Sequence, residues 1–384
     1  MGLPLLLLAP ALLAGGPNLW PADLPMPRTD ELAPIPGVRF AVIKPYAFAT
    51  DGYRFLHGVA LCWHDGRLYA SFGHNQGGEN TATEEARYTV SDDGGRTWSA
   101  PATIDRGDEL DLGISHGVFW SHQGQLWAFQ GAYRGTMTGV HTRAYRLDQA
   151  ARRWLPEGTG VEGGFWPMQP PQRMADSNWV MAGISVGGAN PAAVAISHGD
   201  DARHWDLVRI PPAEGTMWGE STVIVDGAHV LNIARYGAQA TALVATSDDC
   251  GRTWTASAPS NLPMVTSKPF AGVLSTGQRY LIATTTADSG TRRSPLTIAL
   301  SRPGEAAFSQ VRLIRGALWP NGPGESHRDA ALSYPYAVEH DGYLYVGYSN
   351  NGGNVGRVGT GRELWNNNSA ELAVIPLASL RSAE

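Results

Sequence analysis

Ser91-Asp92-Asp93-Gly94-Gly95-Arg96-Thr97-Trp98 returns 156 residues later as Ser247-Asp248-Asp249-Cys250-Gly251-Arg252-Thr253-Trp254, with one change. Each copy follows an alternating run of β-branched or aromatic residues, Arg87–Val90 and Ala242–Thr246, as expected of a strand running into a tight turn. The Ser and Asp side chains can accept hydrogen bonds from turn amides, Gly permits positive φ, and the Trp can fold back over the hairpin. Eroded copies run from Leu147 to Trp154, from Ser197 to Trp205 and from Ser301 to Phe308.

A second unit recurs ahead of these turns: an apolar strand, a polar or Gly turn, and an aromatic-rich strand. Its instances are Val59–Trp63 with Arg67–Phe72, Gly117–Trp120 with Gln125–Phe129, and Met168–Arg173 with Trp179–Gly183. Ser221–Val225 with His229–Ala234, Ala271–Leu274 with Arg279–Thr284, and Ala337–Glu339 with Tyr343–Tyr348 complete the set. Short strands in repeated units without an amphipathic helix describe an all-β chain, a β-propeller of four-stranded blades. Six blades are counted, seven being the alternative and a decorated β-sandwich the competing architecture. Arg39–Ile43 is expected to close the ring by joining the blade that holds Leu372–Pro376. The chain then divides into a signal peptide at 1–16, a linker at 17–36 and a single propeller at 37–384.

Composition agrees. The 384 residues include 46 Gly and 26 Pro, about 12% and 7% against usual shares of about 7% and 5%, so the chain turns often. Net charge is −6, and Lys44 and Lys268 are the only lysines, which excludes a polybasic nucleic-acid or lipid-binding surface. Met1 to Gly16 reads as a secretory signal, too short to span a bilayer, so a secreted or periplasmic protein is expected. Cys62 and Cys250 suit neither a disulfide framework nor a zinc site and read as buried small apolar residues. No ligand cluster calls for a metal or other cofactor, a structural Ca²⁺ in a loop remaining open. The 13 Trp and 13 Tyr can anchor sheets or stack on sugar rings.

In a propeller the innermost strand of each blade delivers side chains to the channel mouth. Reading the start of each unit in order gives His57, His116, Gln169 or Arg173, Glu220, Lys268, and Tyr334 with Tyr336. Two His, a carboxylate, a Lys and a Tyr pair are not what a β core needs, and their convergence predicts a functional pocket.

The Ser-x-Asp-x-Gly-x-x-Trp octapeptides resemble the Asp box of the sialidase superfamily, whose boxes lie on the blade rim; Asp93 and Asp249 are therefore structural in this reading. The segment from Glu220 to Tyr236 resembles the sialidase stretch in which a Glu polarises a nucleophilic Tyr and a following Arg, here Arg235, grips the substrate carboxylate. Tyr334, in Ser333-Tyr334-Pro335-Tyr336, stands near where those enzymes carry the nucleophile. Departures accompany the resemblance. Arg209-Ile210-Pro211 lies mid-chain rather than on the first blade, the early acid-base Asp is missing where His57 stands, and Arg235 and Arg328 are the best two members of the carboxylate clamp.

Ser115–Phe119, Leu126–Phe129, His141–Tyr145 and Asn366–Pro376 resemble propeller enzymes that act on rhamnose–uronate polysaccharides, ulvan-type lyases and rhamnosyl-glucuronate hydrolases. That resemblance implies an eliminative site built from His116, His141, Arg235 and Tyr236, or a hydrolytic His on the opposite mouth, with His57 as its match. Three functions follow. They are a glycoside hydrolase acting on an acidic or rhamnosylated glycan, a uronate lyase, and a non-catalytic propeller that binds glycan or protein. Glu220 with Tyr334 would mark the hydrolase, His116 with Tyr236 the lyase. Lys268, Arg328 and Tyr336 join Arg235, Tyr236 and His141 as expected substrate contacts, with an oligo- or polysaccharide as partner; oligomeric state is not legible.

Overall fold

The computed structural model describes residues 17–215, 217–352 and 368–381; the expected signal sequence at 1–16, and Asn366 and Asn367 of the tail resemblance, lie outside them. Six antiparallel sheets follow one another along the chain, each read from the channel outward. The innermost strands of the first and second blades are Phe55–His64 and Leu112–His122. The third blade's is split into Phe165–Pro167 and Gln172–Arg173 around Pro170-Pro171, because proline cannot donate to a ladder. Met217–Asp226, Phe270–Val273 and Leu332–His340 are the remaining three. The architecture is a six-bladed β-propeller. Ring closure is as the pattern predicts: Arg39–Lys44 pairs antiparallel with Ser369–Pro376 as the outer strand of the sixth blade.

Blades are apolar on both faces because each packs against two neighbours. Leu68, Ala70 and Phe72, alternate residues of Arg67–Asn75, pack with Leu372 and Val374 of the sixth blade. Tyr69, on the other face, packs with Phe119 and Trp154 of the second. Burying a Leu, Val or Phe side chain of this set stabilises by about 1.5–3 kcal/mol. Period-2 patterning is therefore masked into near-continuous hydrophobic runs. Cys62 and Cys250 are both free and buried.

Residues 17–36, expected as a linker, are folded onto the outside of the ring. Leu19 and Trp20 are buried in the cluster shared by the fourth and fifth blades, and both of their amides donate to Asn261 Oδ1. Pro34 bridges to Leu313 in parallel, and the Ile35 and Leu313 amides bond across, covering the fifth blade's outer edge.

The two octapeptides fold alike. Ser91 Oγ donates to Asp93 Oδ1 at 2.8 Å, and Asp93 accepts from the amides of Arg96 and Thr97, each at 2.9 Å. The second copy repeats this, with the Ser247 Oγ–Asp249 bond at 2.8 Å and the Thr253 amide bond at 2.9 Å. Bonds from Thr97 and Thr253, backbone and hydroxyl, hold both Asp carboxyls well below the usual range. The Gly94-to-Cys250 change keeps the left-handed backbone, with φ of 70° and 57°. Trp98 is only partly buried against the core between the sixth and first blades. Trp98→Ala is therefore expected to cost about 2–3 kcal/mol in a denaturation experiment, below the ~3–5 kcal/mol of a fully buried aromatic, with folding and pocket chemistry retained.

Candidate active site

Four of the six inner strands are bulged near their starts, between His57 and Ala60, Ile114 and Gly117, Met217 and Ser221, and Ser333 and Tyr336. Bulges re-aim side chains, and here they turn His57, His116, Glu220 and Tyr334 into one cavity. Two backbone positions show what this requires. Gly58 has φ 67°, and a Cβ on it would stand 2.2 Å from the His116 ring; Tyr334 itself has φ 54°, a conformation non-glycine residues adopt at a cost.

The cavity holds about 310 Å³ at the channel mouth. Its lining combines the charged Glu79, Glu220, Arg235 and Arg293 with the apolar Met137, Trp166, Met168, Ile184 and Trp218. Glu220 and Tyr334 are 3% and 5% exposed, respectively. The Tyr334 hydroxyl donates to Glu220 Oε1, and Arg235 Nη1 lies 2.8 Å from Glu220 Oε2. Arg235 Nε also donates to Thr266 Oγ1 at 3.1 Å, and Arg293 Nη2 to the Thr266 carbonyl at 3.3 Å, so one residue anchors both guanidinium groups. The Tyr334 ring is flanked by the His57 ring at 3.7 Å and by the Arg293 guanidinium at 5.8 Å.

Electrostatics separate the two carboxylates. Burial alone would push Glu220 up, but the Arg235 charge, the Tyr334 hydroxyl and Arg293 together hold it below the ordinary range, so it stays ionised. Glu79 goes the other way: although the residue is exposed to solvent, the protein around its carboxyl and the Glu220 charge raise it against the pull of Arg293 and Arg235. Burial and the Glu220 charge keep the Tyr334 phenol protonated. His116, lowered to about 3 chiefly by burial, is neutral, and burial with the Arg293 and Arg235 charges lowers His57 as well.

Of the expected site residues, His57, His116, Glu220, Arg235 and Tyr334 meet in this cavity. His57 is on the same mouth as Glu220, not the opposite one. Lys268 and Tyr336 are buried behind the cavity wall instead of contacting it: Lys268 Nζ lies 3.6 Å from the Tyr336 ring centroid and donates to the Pro335 carbonyl at 2.7 Å. Tyr236 is turned into the core of the third and fourth blades and donates to the Glu214 carbonyl at 2.8 Å. His141 lies on the third strand of the second blade, Thr138–Asp148, with Nδ1 2.9 Å from the Gly139 carbonyl and outside the cavity lining. Arg328 is exposed beside Asp329 at 3.5 Å and lines a separate surface cleft with Arg292. Gln169 spans the channel, bonding Val223 and Ala271 backbone groups, and Arg173 pairs at the surface with Asp200 at 2.7 Å. The His116–Tyr236 pair is therefore not formed; Glu220–Tyr334 is.

Glu79 and Arg293 were not legible in the strand register. Both lie in loops between the second and third strands of their blades, the first and the fifth. The available signals were a carboxylate in the turn-rich Gly77-Gly78-Glu79-Asn80 and the paired cations Arg292-Arg293 in an otherwise small-residue loop. Among the described residues, no three His, Cys, Asp or Glu side chains converge as a metal site, and no helix is long and apolar enough to cross a membrane.

No curated protein matches the sequence. Solved structures share the fold at low identity. A protein of unknown function from Dyadobacter fermentans is 15% identical, with TM-score 0.63, covering 88% of this chain and 99% of that one. A Hadza microbial sialidase is 14% identical, with TM-score 0.62, over 88% and 69%. A Trypanosoma rangeli sialidase mutant displaying trans-sialidase activity is 14% identical, with TM-score 0.63, over 91% of this chain and 60% of that one. These likenesses agree with the sialidase-like resemblance of the sequence; the resemblance to lyases gains no support from them. The BNR repeat-like domain matches residues 116–346, more than half of the chain. With six blades and two octapeptide turns in register, the chain belongs to the BNR repeat-like family.

Proposed function

We propose that the chain is a secreted glycoside hydrolase, the propeller forming its catalytic domain, that removes a carboxylated sugar from a glycan. The observation that carries this reading is the Tyr334 hydroxyl donating to an ionised, Arg-paired Glu220 in a cavity with a second Arg. A carboxylate on the sugar is met by Arg235 and Arg293, whose guanidinium forks suit it. A phenol is then a fitting nucleophile, because a carboxylate would be repelled by the substrate's own charge. Tyr334 Oη attacks the anomeric carbon as Glu220 takes the phenolic proton, and the bond to the departing oxygen breaks as Glu79 protonates it. Water, deprotonated by Glu79, then attacks the same carbon from the vacated side; the carbon–Oη bond breaks and Tyr334 recovers its proton from Glu220. Two displacements retain configuration. The apolar wall of Trp166, Met168, Ile184 and Trp218 receives the C–H face of the sugar.

Two predictions test the roles. Arg293→Met should raise KM for an acidic glycan by about 10–100-fold, as expected for loss of a charge-assisted pair of ~1.5–3 kcal/mol, with a smaller fall in kcat. An unchanged KM would remove Arg293 from the clamp. The pH profile of kcat/KM should be bell-shaped. Glu220, lowered, is ionised above its folded pKa, so activity fails only as pH drops through that value; Glu79, raised, must be protonated, so activity falls as pH rises through its own. In Glu79→Gln the alkaline limb should vanish along with most turnover of substrates having poor leaving groups. An alkaline limb that survives in this variant would assign the acid elsewhere.

A further inference from the structure

His57 lies beside the nucleophile, yet the hydrolytic steps above do not use it. Its Nδ1 is 2.8 Å from Ser349 Oγ, and that hydroxyl donates at 3.0 Å to the Ser333 carbonyl. A serine hydroxyl has one hydrogen, so with that hydrogen given to Ser333 its oxygen can only accept from the imidazole. This donor assignment puts the proton on Nδ1 and, in a neutral ring, leaves Nε2 as a lone pair. The Leu56 backbone also accepts from the ring, which favours a ring N–H, and the ring lines the cavity. Burial, with the Arg293 and Arg235 charges, keeps the ring neutral.

We infer that His57 Nε2 is a specificity-determining acceptor for a hydroxyl of the bound sugar, so that the substrate is a sugar acid with a free hydroxyl beside its carboxylate-bearing end. The inference rests on the hydrolase reading for the word substrate, but the binding it describes does not need turnover. A carboxylate or phosphate oxygen has no hydrogen to offer Nε2, and a C–H group or a methyl ether would leave the lone pair desolvated without a partner. Only a donor hydrogen satisfies it, from a hydroxyl or an amide N–H, and on a uronate the hydroxyls are the donors. The placement fits, because His57 and Arg293 flank the same Tyr334 ring. A sugar whose carboxylate rests on the Arg pair, with its anomeric carbon at Tyr334 Oη, turns its remaining edge towards His57. A deoxygenated or O-methylated position there is discriminated against, as sites built to bond a hydroxyl reject analogues that lack it.

Long-range ¹H–¹⁵N spectra of the imidazoles of the full chain test this directly, the His57 signals being assigned among the 11 histidines by their loss in His57→Phe. The expected result is a Nδ1–H tautomer whose Nε2 signal moves on addition of D-glucuronate, D-galacturonate or N-acetylneuraminate and stays in place with acetate, a carboxylate without hydroxyls. His57→Phe should weaken binding of the responsive sugar acid about tenfold and leave acetate binding within twofold, and His57→Gln, which keeps an acceptor oxygen, should recover most of the loss. An Nε2–H tautomer, an equal response to acetate, or no response to any of the three sugar acids overturns the assignment. Absence of hydrolysis alongside a positive Nε2 response would defeat the hydrolase reading while leaving this one standing.

Discussion

Tyr334→Phe is expected to lower kcat on the order of 10³- to 10⁶-fold while melting within a few degrees of the parent. The substitution keeps the ring that packs on His57 and beneath Arg293 and removes one oxygen. That oxygen is the nucleophile in the proposed reaction, and loss of a nucleophile falls in this range where covalent catalysis operates. Glu220 loses one donor but keeps Arg235 at 2.8 Å, so the stability change should not exceed about 2 kcal/mol. Glu220→Gln is the less clean experiment. It also stops proton uptake from Tyr334, but it leaves Arg235 without its buried counter-charge, and breaking such a pair from one side costs about 3–5 kcal/mol. A Tyr334→Phe enzyme within tenfold of parental kcat would remove the covalent step from the account.

The second large effect is on stability. Arg315→Met should destabilise the fold by about 3–5 kcal/mol in equilibrium denaturation. Arg315 ends the outer strand of the fifth blade and Glu371 sits in the third strand of the sixth, and the two are 0% and 1% exposed, with Nη2 and Oε2 3.3 Å apart. Asn350 Nδ2 and the Glu325 amide donate to the other Glu371 oxygen, at 2.9 and 2.8 Å. The pair thus ties the fifth blade to the sheet in which the chain's two ends meet. Methionine would leave Glu371 charged, buried and facing neutral donors only. Replacing both partners with apolar residues of similar volume should recover much of the loss, because the penalty comes from the stranded charge more than from the missing attraction. A loss below 1 kcal/mol in Arg315→Met would mean that water reaches Glu371.

The propeller was legible because its repeats are local. The turn at Ser91–Trp98 is fixed by bonds between residues two to four apart, which survive as sequence pattern wherever the turn recurs. Closure by Arg39–Lys44 was legible too, since an orphan strand at each end of a cyclic repeat has one place to go. The site divided along a physical line. Glu220, Arg235 and Tyr334 sit on strands whose register the repeat supplies, whereas Glu79 and Arg293 come from loops whose course no periodicity reports. Lys268 and Tyr336 were misplaced for a related reason: strand position puts both near the axis, but only the inner-strand bulges decide which side chains enter the cavity and which support its wall. Tyr334 enters and Tyr336, two residues on, does not. The segment at 17–36 looked like a linker because its apolar residues lack a period, though Leu19, Trp20 and Ile35 are individually buried.

The most direct test is to incubate the purified chain with sialylated, uronate-containing and rhamnosylated glycans and to follow three products together: released monosaccharide, new reducing ends and unsaturated uronate. The expected result is release of an acidic monosaccharide with retained configuration, no unsaturated product, and the same fall in turnover, on the order of 10³- to 10⁶-fold, in Tyr334→Phe. An unsaturated uronate, or release of a neutral sugar unaffected by Arg293→Met, would contradict it.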